Sequence, residues 1–236
     1  MMTNSYPQRI ICILGMHRSG TSCLTGSLQQ CGLELGEHST WNLHNTKGNR
    51  ENQQVVDFHE QVLADNNGSW HTPPAKIYWT ENHKEQALSI LKTYSDIPLW
   101  GFKDPRVLLM LEQWQSLKVD MDYIGIFRHP YAVARSINKR GSGIVSFKTG
   151  IEAWYKYNIK LLAEYKRSPF PVLCFDDPED IFHEKMYDII NNMGLSHITD
   201  EEPFYSKELK TNEIDESYRL PWKVKRLYKK LTKISV

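Results

Sequence analysis

The stretch from Arg9 to Gly32 constrains the fold more than any other part of the chain. The β-branched run Arg9 to Leu14 (RIICIL) ends at Gly15, a loop of small residues follows, and Ser22 to Gln30 carries helical spacing as far as Gly32. A short apolar run without polar alternation reads as a strand buried on both faces, and Gly32 reads as a helix stop. The same alternation continues downstream. Helical spacing covers Asn49 to Ala64 through Val55, Val56, Phe58, Val62 and Leu63, and returns at Ala87, Leu88, Leu91 and Tyr94. Between them, Gly68 to Tyr78 contains two prolines and reads as a loop.

Leu99 to Phe102 is a second strand, closed by Lys103-Asp104-Pro105-Arg106, and Val107 to Leu117 is helical. Tyr123 to Phe127 is a third strand and Tyr131 to Asn138 a helix, with a flexible break at Gly141-Ser142-Gly143. Ile151 to Tyr165 is a long amphipathic helix, Val172 to Phe175 a fourth strand and Ile181 to Met193 a further helix. Strands separated by helices predict βαβ units: a three-layer α/β/α fold with a central parallel sheet, P-loop NTPase-like. A length of 236 residues fits one domain over residues 1–236.

Composition narrows the function class. Lys plus Arg number 29 against 28 Asp plus Glu, a balance that argues against a bulk electrostatic nucleic-acid binder. The four cysteines, Cys12, Cys23, Cys31 and Cys174, form no CxxC pair and predict small buried hydrophobes rather than a metal site. No apolar run reaches the roughly 18 residues of a membrane span, and no basic leader precedes the first strand, so the expectation is a cytoplasmic protein. Residues Tyr218 to Val236 stand apart, with seven Lys or Arg and no acid. Val224, Leu227, Tyr228, Leu231 and Ile234 share one helical face there, predicting a docked C-terminal helix with a basic outer face, or weak contact with a membrane surface.

The loop Gly15-Met16-His17-Arg18-Ser19-Gly20-Thr21-Ser22 fits GxxxxGK[ST] except that Thr21 stands in the lysine position. Backbone N–H groups and a helix N-terminus still form an anion cradle. The missing lysine is the one that reaches the β- and γ-phosphates, which points to a nucleotide without a triphosphate. A second cluster follows the third strand: Arg128-His129-Pro130, with Ser136 eight residues after Arg128. That is the carboxyl edge of the sheet, where open parallel sheets bind ligands, and a guanidinium with a hydroxyl suits a second phosphate.

These residues carry a resemblance. Gly15 to Ser22 resembles the 5′-phosphosulfate loop of sulfotransferases that use 3′-phosphoadenosine 5′-phosphosulfate (PAPS), and Arg128-x-Pro130-x5-Ser136 is similar to their 3′-phosphate motif. The motifs lie about 110 residues apart, each after a strand, and the similarity runs from about Arg9 to Phe182. The sequence looks most like bacterial members with arginine in the phosphate loop, a feature shared with tyrosylprotein sulfotransferases, as is a Lys-Asp-Pro loop like Lys103-Asp104-Pro105.

The resemblance implies transfer of a sulfuryl group from PAPS to a hydroxyl on a carbohydrate, small metabolite or tyrosyl group, leaving 3′-phosphoadenosine 5′-phosphate (PAP), with no metal. It implies donor contacts from His17, Arg18, Ser19, Gly20, Thr21, Ser22, Arg128 and Ser136. Arg18 would steady the leaving phosphate and Lys103 would contact the sulfuryl or bridging oxygen. Glu51 would be the general base, matching the glutamate of an N-x-x-G-x-x-E pattern (Asn45 to Glu51), with His17 as rival. Trp41, Trp70, His71, Tyr78 and Trp79 lie in segments that border an acceptor pocket on this reading. The alternatives are a P-loop kinase or NTPase, in which Phe175-Asp176-Asp177 would hold magnesium, and a non-catalytic nucleotide-binding protein.

Overall fold

The structure, a computed structural model, describes residues 6–41, 48–140, 144–196, 204, 214–215 and 217–236. Asn45 and the glycine break at 141–143 lie outside the described residues. The strands are β1 (Arg9–Leu14), β2 (Leu99–Lys103), β3 (Asp122–Phe127) and β4 (Val172–Cys174), and the helices are α1 (Thr21–Gln29), α2 (Gln53–Asp65), α3 (Glu81–Thr93), α4 (Leu111–Ser116), α5 (Pro130–Arg140), α6 (Phe147–Arg167), α7 (Glu179–Asn192) and α8 (Trp222–Ile234). The four strands form one parallel sheet in the order β2-β1-β3-β4. This is the α/β/α fold that the strand and helix pattern predicts.

Alternation along β1 divides the core into two layers. Ile10, Cys12 and Leu14 join one apolar cluster and Ile11 and Ile13 the other. The first cluster takes in α2, α3, α6 and α8; the second is closed by Leu24 and Leu28 of α1 and by Phe182, Met186, Ile189 and Ile190 of α7. Covering both faces explains why the strands read as continuous apolar runs. All four cysteines are buried, in keeping with the expected packing role.

Two expected boundaries shift. The helix placed at Asn49 begins at Gln53, because the Asn52 side chain accepts from the Val55 amide and caps it. Glu51 therefore lies ahead of the helix and not in its first turn. The single helix expected over Val107 to Leu117 divides into a 3-10 turn (Pro105–Leu109) and α4. Asp104 caps the turn by accepting from the Arg106 amide, and Met110 leaves helical geometry at φ −131°. Five successive residues, Val107 to Leu111, are at most 3% exposed. A straight α-helix buries one stripe, so this wholly apolar run bends inside the core instead.

At the chain's end, α8 seats Val224, Leu227 and Leu231 in the first cluster, and the Val236 amide donates to the Val172 carbonyl on the outer side of β4. The docked-helix expectation for this segment is what the structure shows. β1 has a neighbour on each side: the chain leaves β1 for β2 on one side and leaves β3 for β4 on the other. Loops after β1 and β3 thus diverge, and such a switch point opens a crevice at the carboxyl edge.

Candidate active site

The crevice is framed first by the loop after β1. A side chain at Gly15 would place its Cβ 2.6 Å from the Ile126 carbonyl oxygen of β3, so close strand contact demands glycine there. Gly20 sits at φ 90°, with the Phe175 ring 2.2 Å from where a Cβ would be. Arg18 also adopts the left-handed region, at φ 66°, which turns its side chain into the crevice. Gly20 leads into α1 without a side-chain cap, and the first turn holds no acid, so its amides remain available to an anion. Beneath the loop the Ser19 hydroxyl is wholly buried and has no hydrogen-bond partner among the described residues; the same is true of His17 Nδ1. Buried polar atoms of this kind want a partner, and a phosphate group in the cradle supplies one.

Arg18 Nε donates to the Ser136 hydroxyl at 2.8 Å, which ties the loop after β1 to α5. Burial, reinforced by the nearby Arg140 and Arg128 guanidinia, pulls the Arg18 pKa down to about 10. Arg18, Arg106 and Arg140 line one cleft, a concentration of guanidinia that suits an anion. The His17 ring packs tilted against Trp70, with centroids 4.5 Å apart, and the Trp70 carbonyl accepts from the Tyr157 hydroxyl at 2.9 Å. Burial, and next the Arg106 guanidinium, hold the His17 pKa well below the ordinary histidine value. The imidazole is therefore neutral at neutral pH.

The second frame is the loop after β2. Lys103 ends that strand with a side chain only 1% exposed, and its Nζ contacts Glu51 Oε1 at 2.7 Å. Asp104 is fully buried and serves as the loop's anchor. Its Oδ2 accepts from His59 Nδ1 at 2.9 Å, and its Oδ1 accepts from the Arg106 amide at 3.0 Å and Nη1 at 2.9 Å. Trp114 Nε1 donates to His59 Nε2 at 2.9 Å, fixing the imidazole with its proton on Nδ1. Arg106 reaches further, to Glu60 Oε1 at 2.6 Å. Burial raises the Asp104 pKa, yet Arg106 and then His59 outweigh it and hold the carboxyl well below the usual range.

The structure brings His17, Arg18, Thr21, Ser22, Glu51 and Lys103 to the wall of one cleft of about 290 Å³. Ser19 lies under it, and Ser136 joins through Arg18. Arg128 is placed differently from the expected convergence with Ser136. Its Nε faces Asp176 Oδ1 at 3.3 Å and its guanidinium lies 5.2 Å from the centre of the Phe175 ring. Asp176 also accepts from the His129 amide, and Asp177 accepts from Lys185 at 2.7 Å. Of the aromatic candidates only Trp70 lines the cleft. Trp79 packs on Phe58 and Trp114, His71 stands edge-on to Trp70, and Trp41 and Tyr78 face outward, 64% and 66% exposed.

Arg140 and Asn49 line the cleft as well and escaped the sequence reading. The signal for Arg140 was available: it follows Ser136 by one helical turn and shares its face. The Glu51 carboxylate raises the pKa of Arg140 against a larger lowering by burial, so the two groups sense each other across the cleft.

No family model matches this sequence, and no curated protein sequence matches it. Among solved structures, the sulfotransferase domain of the Synechococcus PCC 7002 olefin synthase is similar over 96% of this chain and 95% of that one, at 17% identity and a TM-score of 0.60. Likeness at that identity speaks to architecture: the chain has the α/β fold of a sulfotransferase domain.

Proposed function

We propose that this protein is a sulfotransferase that moves a sulfuryl group from PAPS to an acceptor hydroxyl and releases PAP. The observation that carries the reading is the meeting, in one cleft, of the lysine-free anion cradle with Arg18 and the Lys103–Glu51 pair at 2.7 Å. The orphaned Ser19 hydroxyl, the uncapped start of α1 and the three guanidinia fit an anionic nucleotide. Ser19 to Ser22 would hold its 5′-phosphate, and Ser136 with Arg128 its 3′-phosphate, once Arg128 exchanges the Asp176 carboxylate for the ligand.

PAPS supplies an activated sulfuryl group, and the chain supplies position and charge. Glu51 accepts the acceptor's hydroxyl proton on Oε2 while Lys103 holds Oε1. The acceptor oxygen forms its bond to sulfur as the bond from sulfur to the phosphate oxygen breaks. Arg18 and Lys103 stabilise the negative charge that gathers on that departing oxygen. Fixed cations in a low-dielectric cleft do here what a metal and lysine do in kinases. The kinase reading needs the lysine that reaches the β- and γ-phosphates, and Thr21 stands in its place.

Thermal unfolding in the presence of PAP, ADP and Mg·ATP tests this. At about 100 times Kd a specific ligand adds about 2.7 kcal/mol, a rise of several degrees in Tm. PAP is expected to stabilise well beyond ADP. Stabilisation by Mg·ATP with no gain from the 3′-phosphate would overturn the reading.

A further inference from the structure

The near-zero net charge of the chain conceals a strong separation. Residues 218–236 hold seven Lys or Arg and no acid, while the other 217 residues hold 22 Lys or Arg against all 28 acids, a net of −6. In α8 the apolar positions Val224, Leu227 and Leu231 turn inward onto α6 and the core. The opposite stripe carries Trp222, Lys225, Arg226, Lys229, Lys230 and Lys233, at the i, i+3, i+4, i+7, i+8 and i+11 spacing of one helical face. Every one of these side chains is exposed. A packed helix needs no such face, and cations crowded along one side repel each other in the absence of a partner.

The partner's chemistry is legible beside the stripe. Trp222 is 66% exposed and heads the row of cations, and Ile159 of α6 is 44% exposed next to it. Between α8 and α6 runs a groove of about 380 Å³ floored by Tyr155, Ile159, Leu162 and Leu227 and rimmed by Lys166, Arg226 and Lys230. A nucleic acid or acidic protein would satisfy the charge and leave the indole and the apolar floor unused. A phospholipid surface uses all three: phosphates meet the lysines, the indole takes the interfacial level, and apolar matter meets the floor. We infer that the outer face of α8, with the adjoining groove on α6, docks the protein on a bilayer rich in anionic phospholipid. This inference is independent of the sulfotransferase reading.

Sedimentation of the full chain with phosphatidylcholine vesicles, with and without phosphatidylglycerol, tests it. Binding is expected only with phosphatidylglycerol, and it should disappear between about 0.1 M and 1 M salt as the Debye length falls from about 10 Å to about 3 Å. Neutralising Lys225, Lys229 and Lys233 to Gln should weaken partition by about 100-fold, near fivefold per cation. Gln keeps helix propensity, and an unchanged Tm and PAP shift identify a folded variant. Brominated phosphatidylglycerol should quench wild-type tryptophan emission more than that of Trp222→Phe. Equal sedimentation with phosphatidylcholine alone, none at low salt, undiminished binding by the triple variant, or complete displacement by duplex DNA at matched charge would each overturn the docking face as assigned.

Discussion

Two loops deliver cations to the same cleft by opposite means. The loop after β2 presents Lys103 from a bonded support, in which Asp104, His59, Trp114, Arg106 and Glu60 are joined in one network and the buried Arg106 Nε lacks a partner among the described residues. The loop after β1 presents Arg18 from a left-handed residue, above a neutral histidine among cations and a buried serine hydroxyl with no partner among the described residues. One loop is held by a network of buried ion pairs and hydrogen bonds, and the other, on the proposed reading, finds its partner in an anion. This division suits chemistry in which the acceptor side must be rigid while the donor enters and leaves on every cycle.

The largest expected effects fall on the rigid side. Lys103→Ala should lower kcat by about 10² to 10³, the scale for removing one preorganised charge from a transition state. Glu51→Ala should lose most turnover yet keep the Tm rise with PAP. Near-normal rates in Glu51→Ala would remove that residue as the base, and loss of PAP binding in it would make the two loops one unit.

Stability should separate the loops next. His59→Ala removes the partner of Asp104 Oδ2 and of the Trp114 N–H in the core, while Arg106 keeps Oδ1, and a loss of about 3 kcal/mol is expected. Ser19→Ala deletes a hydroxyl that lacks a partner among the described residues. It should leave the ligand-free protein as stable or slightly more so, while lowering PAP affinity. Chemical denaturation of both variants checks this, and equal losses would erase the distinction between a networked loop and a waiting one.

Much of this contrast was legible in the sequence, though unevenly. Short continuous apolar runs placed all four strands, since a doubly covered parallel sheet requires that pattern. Glycine positions and the absent lysine marked the cradle because they are local backbone and charge effects. The network under Lys103 was not legible, since His59, Asp104 and Trp114 are distant in sequence and read singly as ordinary core or helix residues. Rotamer choice defeated the pairing of Arg128 with Ser136: strand and helix ends put both near the sheet edge, but an acid at Asp176 captured one and Arg18 the other. The break at Met110 followed from burial on all sides, which helical periodicity does not encode.

Acid titration should resolve the two loops within one protein, with a smaller effect. His17 has a folded pKa well below its unfolded value near 6.5, so the unfolded chain takes up protons first. Its contribution is present above about pH 6.5 and is lost as pH falls from there toward the folded pKa. Asp104 has a folded pKa below its unfolded value near 4. Its contribution is present above about pH 4 and is lost only below it. Stability should therefore decline in two steps, the upper from His17 together with His129, whose folded pKa burial also lowers, and the lower from Asp104 together with Asp65 and Asp215. His17→Gln should reduce the upper step and leave the lower one unchanged. Saturating PAP should shrink it too, because an anion in the cradle favours the protonated imidazole and draws the folded pKa back toward the unfolded one. Denaturation between about pH 7 and 5, with and without PAP, checks this. An upper step undiminished by both His17→Gln and PAP would mean that the cradle's histidine does not sense the ligand at all.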